Sequence, residues 1–261
     1  DIMKAVHGDA NIQVLPVTTA TTRVLRMRVD LKPWSDNKVR QALKLCQHRE
    51  KILALAYQGE GLQGQDFHVY PKHPGYCEKP IPKYDPEKAK QLLKEAGYPK
   101  GFETKIVPMS FGTDKEVWVA VQAYLMAVGI KVELDFVPYS KYTEYRFKGI
   151  HNAMLAQPFG IYPNANQTYD FYLTTDVNLV NFPSTKRPDG FEELMDKSKT
   201  TMEAEPELMH QLAKMVYDDV TVIPIHTTGR AYIQQTNVHD TQHMQWGMWT
   251  DWRQDTAWKS K

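Results

Sequence analysis

A chain of 261 residues with 42% hydrophobic side chains can bury a core, either as one large domain or as two small ones. Its formal net charge of +1 excludes the strong positive field that draws nucleic acid or an anionic membrane to a protein. No stretch approaches the roughly 18 apolar residues of a membrane-spanning helix. No signal peptide or initiator methionine precedes Asp1, so we expect a mature product or an excised fragment.

The amino-terminal part predicts two β-strands, at residues 12–17 and 24–29, with a threonine-rich segment between them. Arg26 and Arg28 alternate with apolar residues, which is typical of a strand with one buried and one solvated face. The threonine run is either a hinge between two domains or simply more strand, and the residues alone leave both interpretations open.

One long helix is predicted next. Ser35 or Asp36 is placed to cap it, and apolar residues recur at helical spacing to about residue 57. The following segment, residues 60–82, is rich in glycine, proline and aromatic residues and has no periodicity. It is therefore predicted to be a long surface loop.

A shorter helix between residues 83 and 102 is marked at both of its ends. Asp85 provides an N-cap acceptor, Pro86 occupies the first helical position, and Gly97 stands where the chain must leave in a left-handed conformation. Alanine and leucine fall on one face and lysine on the other, so the helix should pack on a core with its basic side in water.

A strand, a helix and a second strand are predicted at residues 104–109, 114–128 and 130–137. A crossover of this length joins parallel strands. Charged residues alternate along the second strand, which places it at an edge of the sheet or beside a partly exposed face. The remaining elements follow from the same periodicities: helices at 140–148, 169–173, 191–200 and 206–218, and strands at 152–157, 221–226 and 231–236.

Three segments, in the expected order, resemble the large peptide-type solute-binding proteins of ABC importers (bacterial extracellular solute-binding protein family 5). They are PWSDNKVRQAL at 33–43 continued by HREKI at 48–52, YDPEKA with EAGY and GF at 84–102, and VIPIH at 222–226. One departure is His48, where the family usually carries Asp. The resemblance covers roughly the second half of a typical family member.

The resemblance implies an α/β fold, the second lobe of a two-lobed periplasmic-binding-protein fold with a mixed sheet flanked by helices. Residues 1–20 would be the tie-in to a first lobe that is absent here, residues 21–228 the solute-binding lobe, and residues 229–261 the return segment. The hinge strands would lie near residues 18–24 and 227–232.

The resemblance also implies a function: the extracytoplasmic solute-binding component of an ABC transporter, periplasmic or extracellular, held at the membrane by a signal or lipid anchor absent from this sequence. Its partners would be a small solute, whether peptide, sugar or chelate, and a membrane ABC permease. It would catalyse nothing and use no cofactor, and the sequence has no Gly-x-Ser-x-Gly motif. Self-association of the truncated chain is a further expectation. The alternative is a stand-alone enzyme or sensor domain built on the same lobe.

Histidine and cysteine residues offer only weak metal chemistry. His68, His73 and Cys77 lie in one loop, and His239 and His243 are four positions apart, but neither set has an established ligand spacing. Solvated loop residues are the favoured interpretation, so we predict no metal. The two cysteines are predicted to be unpaired thiols, with a single disulfide as the alternative.

The turn after the strand at 152–157 is the candidate binding site, because ligands of open α/β sheets usually bind where strands end. Its aromatic and polar residues are Gln157, Phe159, Ile161, Tyr162 and Asn164. In peptide-binding relatives an acidic residue that pairs with the ammonium group of the ligand falls at the position of Ile161. We therefore expect a sugar-like or aromatic solute rather than a peptide held by a free amino terminus. The alternative is that Ile161 points into the core.

Overall fold

The computed structural model of the chain describes residues 8–57, 59, 61–65, 76–110, 115–148, 153–159, 165–173, 187–200, 206–220, 222–239 and 258–260. The strands are β1 (Ile12–Met27), β2 (Gly61–Gln63), β3 (Glu103–Val107), β4 (Lys131–Leu134), β5 (Ala153–Phe159), β6 (Val222–Gln235), β7 (Val238–His239) and β8 (Trp258–Lys259). The helices are α1 (Asn37–Leu45), α2 (Arg49–Tyr57), α3 (Pro86–Glu95), α4 (Lys115–Ala127), α5 (Tyr139–Lys148), α6 (Ala165–Leu173), α7 (Phe191–Lys199) and α8 (Pro206–Asp219). In these ranges no helix combines the length and apolar character needed to cross a membrane.

Six strands form a mixed sheet in the order β2-β6-β1-β5-β3-β4. Strand β3 pairs in parallel with both β4 and β5, whereas β1 pairs antiparallel with β5 and β6. The predicted parallel strand-helix-strand unit is confirmed, and β4 lies at the edge of the sheet as its charged residues indicated. On this edge Lys131 pairs with Glu103, and Lys105 pairs with Glu133, each at 3.0 Å.

Strands β1 and β6 are each continuous, which corrects the prediction of two separate runs at either end of the chain. They pair from Ile12 opposite Gln235 to Arg26 opposite Val222. The threonine-rich segment is part of β1, and the pairing with β6 changes register between Thr18 and Thr22. β-Branched threonine fits a pleated strand well, and a bulge absorbs the irregularity without ending the pairing. The domain boundaries expected after residues 20 and 228 therefore fall inside continuous strands.

The long helix predicted after residue 35 is two helices, α1 and α2. Asp36 caps α1 as expected, since its carboxylate accepts a hydrogen bond from the Lys38 amide at 2.8 Å. The helix ends at Cys46, and a new one begins when the carbonyl of His48 accepts from the Ile52 amide at 3.0 Å. Apolar periodicity continues across this break, so the pattern alone could not show it.

The prediction for α3 is confirmed at both ends. The Asp85 carboxylate accepts from the Lys88 amide at 2.8 Å, and Gly97 leaves the helix with φ of +90°. Ala89 and Leu93 are buried against the core, and the lysines face outward.

The two faces of the sheet are covered by different helices. One face packs against α1 to α4 through apolar residues on alternate strand positions: Leu25, Met27, Ile106, Met154, Ala156, Ile223 and Ile225. The opposite face carries two smaller clusters. Helix α5 packs on β3 and β5 through Tyr142, and α6, α7 and α8 pack on β1 and β6 through Val24 and Val222.

Candidate functional site

The candidate site lies where β3 and β5 end. These neighbouring strands are parallel, so their carboxyl ends meet at one edge of the sheet. The chain leaves β3 toward α4 on one face and leaves β5 toward α6 on the opposite face. Helices that follow neighbouring parallel strands on opposite faces define a topological switch point, and open α/β sheets bind ligands in the crevice at such an edge.

The structure places two of the predicted site residues at this edge. Gln157 and Phe159 are among the last three residues of β5, and their backbones pair with Val24 and Thr22 of β1. The other three, Ile161, Tyr162 and Asn164, lie outside the described residues. Two of the five predicted residues are therefore at the carboxyl end of β5.

A two-stranded ribbon flanks this crevice. Strand β5 accompanies β1 only as far as Thr22, and β2 accompanies β6 only as far as Thr228. Beyond these positions residues 12–18 pair with residues 229–235, and no third strand joins them within the described ranges. The register shift between Thr18 and Thr22 coincides with the point where the ribbon leaves the sheet.

Three arginines, Arg23 and Arg26 on β1 and Arg146 on α5, lie near enough to the buried side chain of Tyr142 to influence it electrostatically, and we call them the arginine cluster. Tyr142 is 2% exposed and belongs to an apolar cluster with Val107, the last residue of β3, and with Ala153 and Leu155 in the first half of β5. Burial raises the pKa of Tyr142 well above the ordinary value for tyrosine, while Arg146, Arg26 and Arg23 act to lower it. The Tyr142 hydroxyl makes no hydrogen bond within the part of the chain that the structure describes.

The arginine cluster can recognise an acidic group. Guanidinium groups bind carboxylates and phosphates through two parallel hydrogen bonds, and a buried phenol adds one further donor. Arg26 is on the same face of β1 as Val24. It lies between the apolar cluster under α5 and the apolar cluster under α6 to α8.

Sequence reasoning missed the arginine cluster. The alternation along β1 placed Arg26 on a solvated face, but Arg26 is only 3% exposed. Its position on the strand was correct, and the helices that cover that face come from residues more than a hundred positions away. The available signal was arginine at positions 23 and 26, beside and within the strand predicted at 24–29.

A polar cavity of about 320 Å³ lies at the other end of the sheet, near the start of β6. It is lined by Val29, Ser35, Asn37, Arg40, Arg187, Pro188, Asp189 and Asp219. Burial lowers the pKa of Arg187 to about 10, and Glu192 opposes this effect. Arg40 and Asp219 already form an ion pair here, so the cavity joins structural elements rather than forming part of the crevice.

Metal-binding geometry is absent from the described residues, which contain no group of three or more histidine, cysteine or acidic side chains that could hold an ion. Three of the histidines considered above as metal ligands lie outside the described residues: His68, His73 and His243. Cys46 is buried and Cys77 half-buried, and both carry free thiols.

Comparison with known proteins gives a consistent family. Residues 2–178 match the sequence model of the bacterial extracellular solute-binding proteins, family 5 Middle. The glutathione-binding protein GsiB of Escherichia coli (strain K12) is 35% identical over 127 residues, which are 48% of this chain and 24% of the GsiB chain.

Solved structures agree on the fold. AgaA from A. tumefaciens R10, solved in complex with agropinic acid, has a TM-score of 0.78 at 22% identity, covering 91% of this chain and 50% of AgaA. DppA from Helicobacter pylori, an ABC transporter-associated periplasmic binding protein in complex with peptide STSA, has a TM-score of 0.78 at 20% identity, covering 92% of this chain and 48% of DppA. The chain thus spans about half the length of these solved relatives. With a match over most of its length and a mixed sheet of the periplasmic-binding-protein type, the chain belongs to family 5 of the bacterial extracellular solute-binding proteins.

Proposed function

We propose that this chain is the second lobe of an ABC-importer binding protein, and that its solute binds at the carboxyl edge of β3 and β5. The turn formed by Gln157, Phe159, Ile161, Tyr162 and Asn164 would line the crevice. The observation that carries the proposal is the edge itself, where parallel β3 and β5 end and the helices that follow them lie on opposite faces of the sheet, as at a topological switch point. In this arrangement the chain binds and releases a solute and catalyses no reaction.

The solute carries an acidic group. Guanidinium groups bind a carboxylate through charge-assisted hydrogen bonds, and the arginine cluster includes Arg23, whose backbone pairs with Pro158 near the end of β5. Ile161 provides no carboxylate for an ammonium group, so the solute is oriented by its anionic end. The ligands named for the relatives, glutathione, agropinic acid and peptide STSA, all carry at least one carboxylate.

The ribbon of β1 and β6 serves as the hinge. Residues 1–20 and 229–261 lead toward a first lobe, and residues 21–228 form the lobe that closes on the solute. Ligand shifts such an equilibrium by its differential affinity for the closed over the open state. The closed protein would then deliver its solute to a membrane permease from the extracytoplasmic side, where an anchor outside this sequence holds it.

The test is calorimetric titration of the chain to millimolar concentrations with glutathione, a tripeptide, the same tripeptide acetylated at its amino terminus or amidated at its carboxyl terminus, and a neutral trisaccharide. We expect acetylation to leave binding unchanged and amidation to abolish it. Binding that is lost on acetylation and kept on amidation would overturn the orientation. Turnover of any solute in the panel would overturn the assignment as a binding protein.

Two variants locate the site. Arg146→Gln should weaken binding of the acidic solutes at least tenfold, because a charge-assisted bidentate contact is lost. Arg28→Gln is the matched control: Arg28 directly follows β1, and its guanidinium lies 2.7 Å from the Asp30 carboxylate. Equal affinity of the two variants would place the solute elsewhere.

A further inference from the structure

His48 caps helix α2. Its backbone carbonyl accepts a hydrogen bond from the Ile52 amide at 3.0 Å, which makes it the residue before the first helical turn. Its ring Nδ1 accepts from the Lys51 amide at 3.4 Å, the contact that an N-cap side chain makes. In the motif that this segment resembles, the same position usually carries an aspartate.

The neighbouring helices use carboxylates for the same purpose. Asp36 caps α1 and Asp85 caps α3, each accepting a backbone amide at 2.8 Å. A carboxylate remains an acceptor at neutral and weakly acidic pH. A neutral imidazole accepts equally, but a protonated imidazole has no lone pair to offer and adds positive charge at the positive end of the helix dipole.

Two tyrosine rings and charged residues of both signs lie near His48. Its ring lies 5.1 Å from the ring of Tyr84 and 6.4 Å from that of Tyr124 on α4, both tilted by about 35°. Aromatic faces favour an imidazolium, although Tyr84 is 40% exposed and water screens the attraction. The remaining charged groups nearby in the chain are Glu50 and Lys51 on α2, buried Arg49, and Lys83 and Asp85 on either side of Tyr84.

We propose that His48 makes the start of α2 a pH-sensitive joint, closed by the neutral imidazole and loosened when weak acid protonates it. Protonation removes the acceptor for the Lys51 amide and places a positive charge at the positive end of the helix dipole. These two unfavourable effects outweigh the attraction between the imidazolium and the screened tyrosine faces. Helix α2 leads into β2, which pairs with Thr227 and Thr228 of β6 where the ribbon leaves the sheet. Loosening α2 therefore changes the support of the ribbon at this edge.

Amide hydrogen exchange in the unaltered chain provides the first test. The Lys51 amide bonded to His48 and the Lys88 amide bonded to Asp85 occupy the same position in their helices, so Lys88 is an internal control. Between about pH 7.5 and about pH 5.5, where imidazole titrates, we expect the protection factor of Lys51 to fall about fivefold, the ratio expected for one lost cap, with no change at Lys88. Equal changes at the two amides would overturn the proposal.

Thermal melting of variants provides the second test. His48→Asp should melt at a similar temperature to the parent at about pH 7.5 and about 2 to 4 °C above it at about pH 5.5, because its cap survives in acid. His210→Gln, at an exposed histidine of α8, is the control and should follow the parent at both pH values. A parent that gains stability in acid relative to His48→Asp would show that the tyrosine contacts dominate and would refute the joint.

Discussion

The guanidinium of Arg40 on α1 lies 2.8 Å from the carboxylate of Asp219, the last residue of α8. The same guanidinium donates to the Asp219 backbone carbonyl at 2.9 Å and to the Trp34 carbonyl at 2.7 Å. Burial lowers the pKa of Arg40, and the charge of Asp219 opposes this effect. One side chain thus joins the helix layers of both faces just before β6 begins.

Removing this side chain should destabilise the fold. We expect Arg40→Ala to lower the free energy of unfolding by about 3 to 5 kcal/mol, because it removes the ion pair with the partly buried Asp219 carboxylate and the hydrogen bond to the Trp34 carbonyl. Lys38→Ala, which removes the exposed pair with Glu95, should cost less than about 1 kcal/mol. Urea denaturation measures both, and similar losses for the two variants would contradict the structural role of Arg40.

Gly101 should tolerate no side chain. It has φ of +73°, and a Cβ atom there would lie 1.9 Å from the carbonyl oxygen of Gly129. Gly97 has φ of +90° with open space around it, so Gly97→Ala isolates the cost of the left-handed backbone, about 1 kcal/mol. We expect Gly101→Ala to cost clearly more in the same denaturation experiment, and equal costs would show that the two loops can separate freely.

The two cysteines should differ in reactivity. Burial raises the pKa of Cys46 to about 12, whereas Cys77 is half-buried in a loop. A thiol-specific disulfide reagent should therefore modify Cys77 rapidly in the folded chain and Cys46 only after denaturation. Since the folded state keeps the Cys46 thiol neutral, this residue stabilises the fold below its unfolded pKa, near 9, and the contribution is lost as the pH rises toward about 12. Modification of both thiols in the native chain would contradict this placement.

The chain by itself should bind its solute weakly. A cleft between two lobes buries a ligand from both sides, so one lobe provides roughly half of the buried area and none of the closure energy. We expect dissociation constants in the micromolar to millimolar range in the calorimetric panel. Submicromolar affinity would mean that this lobe forms a complete site without a partner lobe.

Local signals predicted the elements that depend on their own residues. Asp85 and Gly97 define α3 because a cap acceptor and a left-handed exit are properties of single residues. The edge position of β4 followed from its alternating charges, which Lys105 and Glu103 of β3 complete across the strand pair. These features do not need knowledge of distant parts of the chain.

Features that depend on distant partners could not be predicted. The threonine-rich residues 18–22 remain in a strand because β6, more than two hundred positions away, pairs with the residues on both sides of them. Arg26 is buried because helices from much later in the chain cover its face of the sheet. The sequence could locate the predicted site only at the end of a strand. The pairing of Gln157 on β5 with Val24 follows from the order of strands in the sheet and not from the residues around Gln157.

The pairing of residue 12 with residue 235 brings the two ends of the sheet ribbon together, one strand spacing or about 5 Å apart. A unit whose entrance and exit are neighbours can be inserted into a host polypeptide at one surface position without stretching either end. The residues between these two strands can then be moved together as one unit. This unit can therefore be exchanged between related proteins by joining the chains at two adjacent strands, and the paired backbone would fix its orientation in the new host.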